Sequence, residues 1–255
     1  MADLLIQSAA LLWVFMTLAQ AVARLRKRID TVDIAWGLGF LMPTYLVLIK
    51  DYSTRSRVIA TLVTIWSVRL ATHIYLRSRQ RGDDPRYAEI TKKWKGNIWP
   101  QAYFKIFLLQ GVLIWIISLP VVLVSNKVVA SSPNPYLAAG IIIWLIGFLT
   151  ETVADAQLSK FLQLQNRPKV LQTGLWHYSR HPNYFGELTQ WWAIGIIALQ
   201  VSFGWIGLLG PLTLTTLIIF ISGIPPIEKR RAKDPEYRKY QAKTSVIVPW
   251  FPKNS

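Results

Sequence analysis

The chain alternates between long apolar runs and short, basic, polar connections. The apolar runs cover about residues 4–23, 33–49, 58–76, 104–124, 136–154, 184–201 and 205–222. Each is close to the roughly 20 residues that a helix needs to cross a bilayer. The pattern predicts an all-α integral membrane protein with about seven transmembrane helices in one domain, residues 1–255. Run 4–23 is long enough to span and lacks a basic leader, so it reads as a retained first helix rather than a cleaved signal. No internal repeat or low-complexity tract interrupts the series, and residues 131–135 (SSPNP) read as an outer turn.

Basic residues set the expected orientation. The connections after the first, third and fifth runs and the C-terminal tail hold 24 of the 29 Lys and Arg, against 4 on the opposite side. Positive charge stays on the cytoplasmic side, which predicts the N-terminus outside and the C-terminus in the cytoplasm. The remaining cation, Arg69, lies inside a run.

Composition adds exclusions. A net charge of +16 together with 52% hydrophobic and only 16% charged residues does not describe a basic soluble protein, and the charge sits in loops between spans. Nucleic acid is therefore not an expected partner, whereas membrane lipid is. The absence of Cys removes disulfides, thiolate chemistry and Cys-ligated metals. With three His, at 73, 177 and 181, no metal site is expected.

Polar residues inside the runs are the candidates for chemistry, because a charge in the bilayer needs a partner or a task. Asp30 and Asp33 are three apart at the start of the second run, and Trp36 continues their line. Asp30 suits an N-cap; Asp33 lies deeper. Gly37 and Gly39 lack the spacing and preceding strand of a nucleotide loop and read as packing positions. Arg69, His73 and Arg77 form a cationic stripe, in which Arg77 can snorkel while Arg69 calls for an acid: Asp33, Glu151, Asp155 or Glu187. The loop 77–103 mixes Arg79, Arg81, Asp83, Asp84, Arg86 and Tyr87 with Trp94 and Trp99. It suits an interfacial segment, and its arginines suit phosphate.

The densest signal is residues 174–191, GLWHYSRHPNYFGELTQW. His181 is pushed out of helical geometry by Pro182, which in turn suits a first helical turn. The new helix offers free N–H groups and a positive end next to Arg180 and His181. Asn183, Glu187 and Trp191 then share one face. Arg180-His181-Pro182-Asn183-Tyr184 followed by Gly186-Glu187 resembles the C-terminal signature of the steroid 5α-reductase and sterol-reductase superfamily. The likeness is greatest to bacterial membrane proteins grouped with those reductases by domain (the DUF1295-like group). The shorter Arg-His-Pro-x-Tyr-x-Gly core is also similar to that of isoprenylcysteine and phospholipid methyltransferases. The reductase-like region covers about residues 140–252 and is densest from Asp155 onward. Its end, Tyr237-x-x-Tyr240 before a closing Pro-Trp, also resembles the reductases, in which this tail forms a cytoplasmic lid over the cofactor.

That resemblance implies an NADPH-dependent reductase acting on the C=C bond of an apolar enone drawn from the bilayer, in a bacterial inner membrane with the cofactor on the cytoplasmic side. The cofactor contacts that follow from it are Asp155, Lys160, Arg167, Lys169, Tyr178, Arg180, His181, Asn183, Tyr184, Glu187, Trp191, Glu228, Arg231, Tyr237 and Tyr240, with Arg69 added from the third run. Steroid 5α-reductases hold the substrate carbonyl with a Gln–Glu pair and a Tyr on early helices. Here the corresponding runs offer Asp33, Trp36 and Trp66, so the carbonyl-binding group is left open. The alternatives are a membrane methyltransferase using S-adenosylmethionine and a non-catalytic lipid-binding protein.

The orientation is directly testable. A C-terminal fluorescent fusion is expected to be bright, and an alkaline phosphatase fusion at Ser132 active. The reverse pair of results overturns the topology.

Overall fold

The computed structural model describes residues 2–79, 84–127 and 135–253. Arg81 and Asp83 of the third connection, and residues 131–134 of the expected outer turn, lie outside the described residues. Among the described residues the fold is helical, with no strand and one isolated parallel bridge between Ser179 and Ser245. Six helical segments are long and apolar enough to cross a membrane: Ala2–Arg26, Thr31–Lys50, Thr54–Arg79, Ile98–Ile117, Pro135–Gln163 and Gly204–Arg231. The remaining expected run, 184–201, holds a helix of 17 residues, Pro182–Ala198.

The chain divides into two compact units. One comprises Met1–Ser132 with Ala198–Gly210, the other Pro133–Ile197 with Pro211–Ser255.

The first unit contains α1 (Ala2–Arg26), α2 (Thr31–Gly39), α3 (Leu41–Lys50) and α4 (Thr54–Arg79), then the short α5 (Pro85–Thr91). It continues through α6 (Ile98–Ala102), a π-helical stretch, α7 (Leu109–Ile117) and α8 (Leu119–Leu123). The break before α8 falls at Ser118, two residues ahead of Pro120, which has no N–H to continue the ladder. Asp84 opens α5 by accepting the Arg86 N–H at 2.9 Å, and Asn97 opens α6 by accepting that of Trp99 at 3.0 Å. The core is aromatic where α2 meets α4: Trp66 is buried, its ring edge-on to Phe40, which is edge-on to Trp36. On α1 the side chains of Trp13, Leu18 and Leu25 are exposed, as expected of a helix bathed in lipid.

The second unit contains α9 (Pro135–Gln163), α10 (Leu175–Tyr178), α11 (Pro182–Ala198) and the bulk of α12 (Leu209–Thr216), which runs on through a second π-helical stretch. It ends in α13 (Ile224–Arg231) and α14 (Pro235–Lys243). Helix α9 runs nine residues past the expected end at Ala154. Asp155 to Gln163 contain no helix breaker, and the first Pro comes at 168. Asp234 caps α14 by accepting the Glu236 N–H at 2.9 Å.

Helices α9 and α11 touch backbone to backbone. A Cβ on Gly186 would lie 2.6 Å from the Gly147 carbonyl oxygen and 2.5 Å from the Glu151 nitrogen, and one on Gly147 would lie 2.7 Å from the Gly186 oxygen. No side chain fits there, which is the reason small residues mark close helix crossings in membranes. Gly186→Ala is therefore expected to destabilise the protein by about 1–3 kcal/mol through forced separation of the helices. Leu149→Ala, at a lipid-facing position of α9 that is 60% exposed, should change the melting temperature much less. Equal melting temperatures for Gly186→Ala and wild type in detergent would contradict the contact.

Candidate functional site

The glycine contact brings a polar seam together between α9 and α11. The Gln190 amide donates to Glu151 Oε2 at 2.7 Å, two turns along α11 from Asn183, whose amide donates to Asp155 Oδ1 at 3.2 Å. Glu151, Asp155 and Gln190 are all buried. The amide oxygens of Asn183 and Gln190 are buried and accept no hydrogen bond from the described residues. A buried acceptor left unpaired costs about 1–3 kcal/mol.

The same end of α9 holds the loop before α11. Gln157 Oε1 accepts the Leu175 N–H at 3.0 Å, and the Trp176 indole donates to the Ala154 carbonyl at 3.1 Å. Gly174 sits at φ +62°, and a Cβ there would run into the Gln157 amide. Only glycine takes this left-handed backbone at low cost, so Gly174 fixes where the loop turns down onto α9.

Glu228 gathers the residues beyond the loop. Its carboxylate accepts from Arg180 Nε at 3.1 Å and pairs with Arg180 Nη2 at 3.0 Å. It further meets His181 Nε2 at 2.8 Å and accepts from the Tyr237 hydroxyl and the Gln241 amide, each at 2.6 Å. Arg180 Nη1 donates to the carbonyls of Gln241 and Thr244, both at 2.8 Å, and so caps the C-terminal end of α14. Tyr240 donates to the carbonyls of Trp176 and Ser179. Burial first, then the Glu228 carboxylate, raises the Tyr237 hydroxyl above the ordinary phenol range, and burial does the same for Tyr240. Both remain neutral donors.

In the first unit, Asp33 is bound by residues of α5. Its carboxylate accepts from the Tyr87 hydroxyl at 2.5 Å and from Arg86 Nη2 at 2.7 Å, while Arg86 also holds Asp84. Gln110 of α7 hydrogen-bonds the Tyr87 hydroxyl through its amide, and its own buried oxygen is unpartnered. Burial and then the Asp33 charge push the Tyr87 hydroxyl well up, so it stays protonated.

The expected residues fall into distinct groups. Asp155, Arg180, His181, Asn183, Glu228, Tyr237 and Tyr240 belong to the two networks of the second unit, and Tyr184 stacks on His181 with ring centroids 5.6 Å apart. Trp191 is buried on α11, and Glu187 lies half-buried on the same helix. Arg231 covers the Tyr237 ring at 4.6 Å and donates to the Lys169 carbonyl at 3.3 Å. Lys160 is exposed on α9, Arg167 donates to the Leu162 carbonyl at 2.8 Å, and Tyr178 is exposed on α10. Asp33, Trp36, Trp66 and Arg69 lie on α2 and α4 of the first unit. Sequence reasoning missed Gln190, although 183, 187 and 190 follow helical spacing. It missed Gln241, and also Tyr87 as the partner of Asp33, because 54 residues separate that pair.

The fold defines a helical integral membrane protein with two buried polar networks in its C-terminal unit. The chain belongs to the DUF1295 family, described as a protein of unknown function, whose model matches residues 19–244. That family is associated with steroid 5α-reductase-like membrane proteins. An uncharacterized protein of Schizosaccharomyces pombe is 25% identical over 77% of this chain and 64% of its own length. The chain thus spans under two thirds of that relative, which is a fission yeast protein, so the expected likeness to bacterial proteins gains no support from it. No solved structure matches.

The Glu228 hub yields a stability prediction. Arg180 and Glu228 side chains are 9% and 15% exposed, so Glu228→Gln strands a nearly buried guanidinium. A loss of about 3 kcal/mol is expected. Arg180→Lys should not be tolerated either, since an ammonium lacks the planar fork that serves one carboxylate and two carbonyls. Unfolding in detergent with wild-type midpoints for both variants would contradict the hub.

Proposed function

We propose that the protein is a membrane-embedded, NADPH-dependent reductase acting on the activated C=C bond of an apolar, lipid-like enone taken from the bilayer. Its orientation has the N-terminus outside and the C-terminus and cofactor site on the cytoplasmic side, which in a bacterium is the inner membrane. The observation that carries the reading is the buried, unpartnered amide oxygen of Asn183, held beside Asp155 at the start of the helix that follows Arg180-His181-Pro182. Membership of a family associated with steroid 5α-reductase-like proteins supports it.

The residues present fit a nicotinamide cofactor at this seam. A carboxamide needs an acceptor for its NH2 group and a donor for its oxygen, and the Asn183 oxygen is a buried acceptor in want of a donor. Arg180 is taken up by Glu228 and the end of α14, so phosphate binding falls to Lys160, Arg167, Lys169 and Arg231, which sit nearer solvent. NADPH, when bound, supplies the hydride that adds to the β-carbon of the enone. The enolate so formed takes a proton from water at its α-carbon, which balances the hydride and restores the carbonyl.

Thermal shift in detergent tests the cofactor. NADPH is expected to raise the melting temperature, by the equivalent of about 2.7 kcal/mol at a hundredfold excess over Kd. NADH should do less, S-adenosylmethionine nothing, and added salt should erode the advantage of NADPH. Stabilisation by S-adenosylmethionine alone would make the protein a methyltransferase. Glu187→Gln is expected to keep the apo melting temperature and Asn183→Ala, which takes a donor from Asp155, to lower it modestly; both should lose most of the NADPH shift. A sharp fall in apo stability with an intact shift for Glu187→Gln would give Glu187 a structural role instead.

A further inference from the structure

Beyond α14 the chain forms an extended strap. The Arg180 N–H donates to the Ser245 carbonyl at 2.8 Å, the Ser179 hydroxyl to the Ile247 carbonyl at 2.8 Å, and the Trp250 N–H to the Tyr178 carbonyl at 3.0 Å. Exposure alternates along it, with residues 247 and 249 half-buried between exposed neighbours. Val246, Val248 and Trp250 point outward, and Phe251 joins them with its ring edge-on to that of the exposed Tyr178. Trp250 and Phe251 are 70% and 76% exposed. Among the described residues nothing covers this apolar row, and its aromatic residues are of the kind that settle at membrane interfaces.

Two further observations say what covers it. The Lys253 N–H donates to the Lys243 carbonyl at 3.0 Å, so the strap closes with two exposed lysines at its ends, and exposed Arg238 and Lys239 follow on α14. Arg180, which holds the strap through its backbone, also grips Glu228 near the end of the Gly204–Arg231 membrane helix. The apolar row therefore lies where a membrane-crossing helix leaves the lipid, ringed by positive charge. We infer that the strap is an interfacial anchor that seats Val248, Trp250 and Phe251 in the headgroup region of an anionic bilayer, with the lysines on its phosphates. Because the strap is bonded to residues 178–181, the anchor ties that loop to the membrane surface. The inference is independent of the cofactor.

The chain has no Cys, so Val248→Cys and Lys239→Cys each create one labelling site in the full-length protein. Spin labels there, in nanodiscs rich in phosphatidylglycerol or made of phosphatidylcholine alone, report exposure to oxygen and to a water-soluble nickel chelate. The label at 248 is expected to be several-fold less accessible to nickel than that at 239 while open to oxygen, and to become shallower without anionic lipid. Equal nickel access at the two positions overturns the anchor. Shielding at 248 from both reagents also overturns it, by showing a protein cover. Immersion indifferent to headgroup charge overturns the part given to the lysines.

Discussion

The polar seam between α9 and α11 depends on the contact between Gly147 and Gly186. With backbones this close, Glu151 and Asp155 lie within reach of Gln190 and Asn183, and each carboxylate gains an amide donor in a setting where an unpaired charge would be costly. The contact fixes more than packing. The oxygens of both amides are buried beside it with no donor among the described residues.

The Glu228 hub complements that seam by holding the loop at the start of α11. One carboxylate meets a guanidinium, an imidazole, a phenol and an amide, and the guanidinium also caps a helix. Groups assembled so completely have little capacity left for a ligand. Arg180, which by its place at a helix start reads as an anion contact, acts here on Glu228 and on the end of α14. The Arg-His-Pro sequence thus serves to lock α13 and α14 against the loop.

Much of this was legible in the sequence, for identifiable reasons. Apolar runs near bilayer length gave the helical segments, because solvent alone decides them. The segment 184–201 was read as a full span, yet α11 stops at Ala198; run length does not reveal where a turn interrupts an apolar stretch. Asn183, Asp155 and Glu228 stood out as polar residues in costly places or in a familiar motif. Their pairings did not, since Asp155 and Asn183 are brought together by glycines whose role shows only in three dimensions. Asp33 was visible as a buried acid, whereas Tyr87 and Arg86 lay in a loop that read as interfacial.

The central claim is that the α9–α11 seam holds a nicotinamide cofactor. Backbone hydrogen exchange of the full chain in detergent, with and without saturating NADPH, tests it at the seam itself. Slowed exchange in residues 151–157 and 178–190, with α1 unaffected, is the predicted result. Unchanged exchange in both segments, or protection there by S-adenosylmethionine and not by NADPH, would contradict the account.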